Sequence, residues 1–426
     1  MKDKLHALFH RTAQRHDEEP TSAPEVASLS PCPSTVDFVQ KSTEQAQQQV
    51  LAPHDCLTVA FQNRTTSCNV YAYVTGLALT NNFAPMFILA DGKTVYFPPN
   101  PCKILSPVTK DVAIPLGPPG NTVQVTIPKM AGGRFWFAVN GRLTFFMNPG
   151  PAIVEPSVTN PSDPSHDVDW CFSEFTYNDY QLFANVSYVD FVGAHGVSLS
   201  LTNSNGQTQT VPGMIPHGFA TLADGLKAQA LRDGQAWDKL IQHVNGRPLR
   251  ILSPNNLLVS QPEVWGDYWQ PYVDQVWARF KREDFIVNTQ AEAGNLCGRV
   301  EYDELAFPEA GRFCRPSASD IFSCSTGPFR TGSNPARNAV IPRLAAAFNR
   351  TTLLLNPAQF PNGHSPDQYY LNPITNYYSK LIHRVQEDGR GYAFPYDDVT
   401  PEGGVDQAGC VNDCNPKLLV VGVIGT

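Results

Sequence analysis

From about residue 55 the chain reads as short alternating runs, each stopped by Gly, Pro or Asn, and this punctuation constrains the fold more than any other feature. Residues 57–61, 70–74, 86–89, 95–97, 123–127 and 134–139 are rich in β-branched and aromatic side chains. Period-2 runs of this kind place alternate residues on opposite faces of a strand. Spaced by short turns, they predict a mainly β architecture, a sandwich or flattened barrel, over 53–212. Asn140-Gly141 predicts a hairpin between 134–139 and the run beginning at Leu143. After residue 213 the period lengthens. Residues 222–244, 272–280, 336–348 and 376–385 carry apolar side chains at helical intervals, which predicts a smaller mixed α/β domain over 213–414. The apolar run 418–424 predicts a final strand, so that 415–426 completes the β domain. Residues 1–52, with a Ser/Pro stretch and Gln45-Ala46-Gln47-Gln48-Gln49, predict a disordered tail.

Charge excludes several partners. Lys and Arg total 31 against 39 Asp and Glu, a net charge of −8, and charged residues make up only 16% of the chain. With no basic block, capture of nucleic acid or of an anionic membrane surface is not expected. No run approaches the ~18 apolar residues of a spanning helix. Low charge with abundant Pro, Asn, Ser, Thr and aromatic residues suits a neutral polar ligand such as a sugar. The first apolar residues, Leu5, Ala7, Leu8 and Phe9, are interrupted by His6 and followed by basic residues, so no signal peptide is read. The expected location is cytoplasmic, or outside the cell by an unconventional route. Ten cysteines contain no C-x-x-C. Cys410 and Cys414 make at most half a zinc site, and no metal is expected. Glycosylation sequons begin at Asn63, Asn185 and Asn349. No G-x-S-x-G, H-E-x-x-H or dinucleotide fingerprint occurs.

The chemistry concentrates between Cys171 and Val192, which reads as strand, turn, strand. Alternation puts Glu174, Thr176 and Asn178 on one face. Asp190 stands among Val186, Tyr188, Val189 and Phe191, where a carboxylate costs free energy unless paired or solvated in a cleft. A turn centred near residue 182 would set Glu174 and Asp190 opposite each other at ~5 Å, and a small slip would give the ~6.5–9.5 Å gap of an inverting glycosidase. The same residues also fit two acids that simply face solvent. Trp265 and Trp269, flanking Gly266-Asp267, offer surfaces for stacking on sugar rings. Asp397, in a Gly/Pro-rich loop, is a candidate binding carboxylate.

Several segments together resemble glycoside hydrolase family 64, the thaumatin-like β-1,3-glucanases, in a fungal form. They are Glu174-Phe175-Thr176-Tyr177-Asn178 with 185–192, 318–329 around Ser319-Asp320-Ile321-Phe322, 391–399 around Tyr396-Asp397-Asp398, and Val154-Glu155-Pro156-Ser157. The resemblance spans about 55–426. It implies a thaumatin-like β-sandwich or barrel, a smaller mixed α/β domain and an acidic groove between them. It implies endo-hydrolysis of β-1,3-glucan with inversion, by a monomer without cofactor. Glu174 would be the general acid and Asp190, 16 residues on, the general base. Thr176 and Asn178 would touch substrate, and Phe183 stands where some members carry Trp. The alternative is a non-catalytic thaumatin-like β-glucan-binding protein.

Overall fold

Strands Val70–Ala78, Met130–Val139 and Asp169–Tyr177 lie side by side in the middle of a nine-stranded sheet. The structure, a computed structural model, describes residues 47–50 as backbone, then 56–356 and 360–425. Residues 1–46 of the expected tail, Cys32 among them, lie outside the described residues. Alternation decides what each face of this sheet does. Val74, Phe135, Phe137, Cys171 and Phe175 share one face and join a core with Phe61, Leu199 and Val421. The last three belong to a five-stranded sheet centred on Pro416–Gly425, which runs parallel to Cys56–Arg64 and antiparallel to His195–Asn203. Phe61 sets its edge against Phe135 and Phe137, each 5.3 Å between centroids. Burying each such side chain contributes ~1.5–3 kcal/mol, so the two sheets hold together as a sandwich.

The other face of the large sheet is aromatic too. Tyr73, Trp136, Trp170 and Phe172 form a second cluster, covered by Phe145, Phe191 and Leu252. This outer face carries the residues of interest.

Three sequence expectations change. Asn140 does turn, at φ 57, but no hairpin follows. Both edges of Met130–Val139 are already taken by Val70–Ala78 and Asp169–Tyr177. The next strand, Phe146–Asn148, pairs instead with Ala152–Val154 and Ser106–Pro107. Residues 47–50, assigned to the disordered tail, form strand Gln47–Val50 against Thr94–Phe97. Backbone groups at a sheet edge accept a partner whatever its side chains. The helix expected over 222–244 is Gly218–Asp233, capped by Gly234 at φ 69, and is followed by strand Ile241–Val244. Helices Gln270–Phe280, Pro335–Asn349 and Tyr377–Val385 stand where periodicity placed them.

All three sequon asparagines are buried. Asn63 Nδ2 donates to the carbonyls of Ser67 and Gly117, and Asn349 Nδ2 to those of Ile321 and Ala345. Among the described residues no helix is long and apolar enough to cross a membrane, and no group of three metal-ligating side chains gathers. The Cys410 thiol donates to Asp406 instead, at 2.7 Å.

Candidate active site

Register places a polar row across the outer face of the large sheet. Thr75 pairs with Arg134, Arg134 with Glu174, Glu174 with Asn185, and Asn185 with Cys410. Directly opposed side chains share a face, with Cβ atoms ~4.5–5.5 Å apart. The row borders the aromatic one formed by Tyr73, Trp136 and Phe172. Trp136 Nε1 ties the two together by donating to Thr75 Oγ1 at 2.9 Å.

Arg134 is aimed by a bulge. Thr75 pairs with Arg134 but Leu77 with Ala131, so Met130–Val139 carries one extra residue, and the same offset faces Asp169–Tyr177. Gly132, at φ 55, supplies the left-handed step. Gly133 lies under the Phe175 ring, where a Cβ would come within 2.5 Å. The guanidinium then sits 5.1 Å over Phe172 and 5.4 Å over Trp136. Its Nε and Nη2 donate to Glu174 Oε1 at 3.3 and 3.1 Å, and its Nη1 donates to Glu155. The Glu174 side chain is 15% exposed, so the acid reaches solvent without standing in it.

Asp190 arrives by another route than a simple hairpin. The turn closes at Asn178–Gln181, with Tyr177 opposite Leu182, so Glu174 faces Asn185 rather than Asp190. The chain leaves this sheet after Asn185, and Tyr188 N–H donates to Tyr392. It joins a second sheet at Phe191–Gly193, beside Arg247–Leu252. Asp190 sits at that switch. Its carbonyl accepts from Ser253 N–H at 2.9 Å and Asn256 Nδ2 at 3.0 Å, at the capped start of helix Pro254–Ser260.

The electrostatics couple these groups. Burial pushes the Glu174 carboxyl above the usual glutamate range; Arg134 opposes this, while Asp190 and Glu155 add to it. Arg134 is held above its ordinary value by Glu155, Glu174 and Asp190 against the cost of burial. One cation therefore serves three carboxylates in a partly dry site, and burial together with the neighbouring anions favours the protonated form of Glu174.

The remaining candidates divide. Thr176 is buried and Phe183 half-buried, paired with each other on the Glu174 face. Asn178 closes the turn: its Oδ1 accepts from the N–H groups of Tyr180 and Gln181, both at 2.9 Å. Trp265 and Trp269 are not groove platforms. They are 2% and 1% exposed, packed on Tyr268 and Phe322 with Trp237 against Trp265, because their apolar rings complete the helical core. Asp397 is fully buried. It accepts hydrogen bonds from Arg350 at 2.9 Å and Ala393 N–H at 3.0 Å, has His383 Nε2 3.1 Å away, and so cannot reach a substrate. Sequence reasoning did not assign a role to Arg134 or Asn185 and noted Glu155 only within a motif. The signal for Arg134 was present: a lone cation opening the aromatic run Phe135-Trp136-Phe137 requires a carboxylate nearby.

A β-sandwich whose outer face gathers carboxylates round one partly buried arginine presents groups able to give and take protons. Comparison with known proteins makes this specific. A family model described as Beta-1,3-glucanase matches residues 55–423, and the chain belongs to that family, glycoside hydrolase family 64. A glucan endo-1,3-beta-glucosidase of Cellulosimicrobium cellulans is 28% identical over 308 residues, 70% of this chain and 53% of that protein. The chain spans about half the length of the curated relatives it matches. A laminaripentaose-producing beta-1,3-glucanase, solved in complex with laminaritetraose, superposes with TM-score 0.76 at 28% identity, covering 87% of this chain and 99% of that one. A family 64 domain from Clostridium beijerinckii shares the fold at TM-score 0.67 and 20% identity, over 87% and 98% of the two chains. The organisms named among these relatives are bacterial, so the fungal form expected from the sequence finds no support.

Proposed function

We propose that this chain is an endo-acting β-1,3-glucan hydrolase that inverts the anomeric carbon, with Glu174 as general acid and Asp190 as general base. The observation that carries the reading is the shared field of Glu174, Asp190 and Arg134, in which Glu174 is raised and Asp190 contributes to raising it. The glucan-bound relative supports the substrate class.

In this reading Glu174 donates its proton to the glycosidic oxygen as the C1–O bond breaks. Water attacks C1 from the opposite face and gives its proton to Asp190, so the new hydroxyl has the inverted configuration. Exchange with solvent then returns a proton to Glu174 and removes one from Asp190. Arg134 keeps Glu174 oriented through two hydrogen bonds to Oε1 and leaves Oε2 to carry the proton. Thr176 and Phe183 extend the same face toward a glucan chain, and the β layers are of the thaumatin-like kind. Both proton transfers are supplied by side chains, so the reaction calls for no cofactor, and a monomer suffices.

Proton NMR of a linear β-1,3-glucan digest, read in the first minutes, tests this. The α-anomer is expected first, from internal cleavage. The β-anomer first, or binding without new reducing ends, overturns it.

A further inference from the structure

Asn185 lies directly opposite Glu174 and on the same face, yet none of the roles above uses it. It is 4% exposed, and its Oδ1 accepts no hydrogen bond from the described residues. Its neighbour on the far side, Cys410, is occupied, since that thiol donates to Asp406. A buried carbonyl oxygen beside an ionised carboxylate would set acceptor against acceptor. Beside a protonated carboxyl it has a donor. Glu174 Oε1 is already taken by Arg134, which leaves the other oxygen for the proton.

We propose that Asn185 is a positioning residue for the acid: its Oδ1 accepts the hydrogen bond of the protonated Glu174 carboxyl and holds it in a proton-donating orientation. This rests on the reading of Glu174 as the general acid. The charged groups acting on Glu174 are Arg134 from the adjacent strand, Glu155 from the segment after Ala152–Val154, and Asp190 from the segment entering Phe191–Gly193. Arg134 favours the ionised acid and the two carboxylates the neutral one. Asn185 adds an uncharged contact that only the neutral acid can make.

The test is kcat/KM for hydrolysis of a linear β-1,3-glucan against pH, in wild type, Asn185→Ala and Asn185→Asp. The alkaline limb reports loss of the proton from the acid in the free enzyme. Removing the acceptor in Asn185→Ala is expected to move that limb about half to one unit toward lower pH. Asn185→Asp keeps an oxygen and adds negative charge, so its limb is expected to move toward higher pH. Limbs that stay in place while activity falls uniformly would mean a merely structural role, and an upward shift in Asn185→Ala would mean that the amide donates to the ionised acid; either overturns the proposal. Should Asn185→Ala not fold, an unmoved limb in Asn185→Asp overturns it alone. If wild type releases no reducing ends, the hydrolase reading fails first. The titration of the Glu174 carboxyl, followed by carbon-13 NMR in the same variants and assigned by its loss in Glu174→Gln, then judges the contact independently of turnover.

Discussion

Two carboxylates in this molecule touch an arginine at nearly the same distance, and their proton affinities move in opposite directions. Glu174 meets Arg134 at 3.1 Å and is raised above the ordinary value of 4.5, first because burial disfavours its charge. Asp397 meets Arg350 at 2.9 Å and is lowered from 3.8 although it is the more buried of the two. For Asp397 burial again acts upward, but His383, Arg350 and the Ala393 N–H together outweigh it. The contact with arginine is therefore not what decides. The balance of donors against neighbouring anions decides: it favours the proton at Glu174 and the charge at Asp397.

The largest expected effect breaks the comparison at Glu174. Glu174→Gln should lower kcat/KM on β-1,3-glucan by ~10²–10⁴-fold, with little change in melting temperature. Asp397→Asn should do the reverse. It leaves Arg350 buried without its counter-charge and should cost about 3–5 kcal/mol in denaturant unfolding, with activity per folded molecule kept. The two groups also differ in pH dependence. Asp397, lowered, stabilises the fold above 3.8, and that contribution is lost as pH falls through its folded value. Glu174, raised, contributes below 4.5, and that contribution is lost as pH rises through its folded value. The stability gap between wild type and Asp397→Asn should thus narrow on acidification below about pH 4. A smaller change sharpens the contrast: Arg134→Met removes the cation opposing the rise at Glu174. The alkaline limb of the activity profile should then move upward by about one to three units.

Much of this fold was legible because strand periodicity is local. The runs at 57–61, 70–74 and 134–139 needed only alternation and turn residues to be read, and each stands inside an observed strand. The hairpin after Asn140 failed because strand partners are chosen globally: the edges of Met130–Val139 are filled by segments from both sides in sequence. The site divides along the same line. Glu174 and Thr176 share a face by simple parity. The relation of Glu174 to Asp190 was not legible, because the turn at Asn178–Gln181 sets the register and the chain then changes sheets. Trp265, Trp269 and Asp397 were misplaced for one reason. Aromatic rings and carboxylates serve a core or a groove equally well on paper, and only burial tells them apart.

The enclosed side chains of Asn63, Asn185 and Asn349 carry a practical consequence. A eukaryotic host that sends this chain through its export pathway would attach sugar trees to nascent Asn-x-Ser/Thr triplets before folding could hide them. Each tree would then occupy space the folded interior needs, and one at Asn185 would stand beside the acid itself. Material made that way should be unstable or inert whatever the chemistry of its acidic residues, whereas a host without that decoration leaves the three side chains enclosed as they are here.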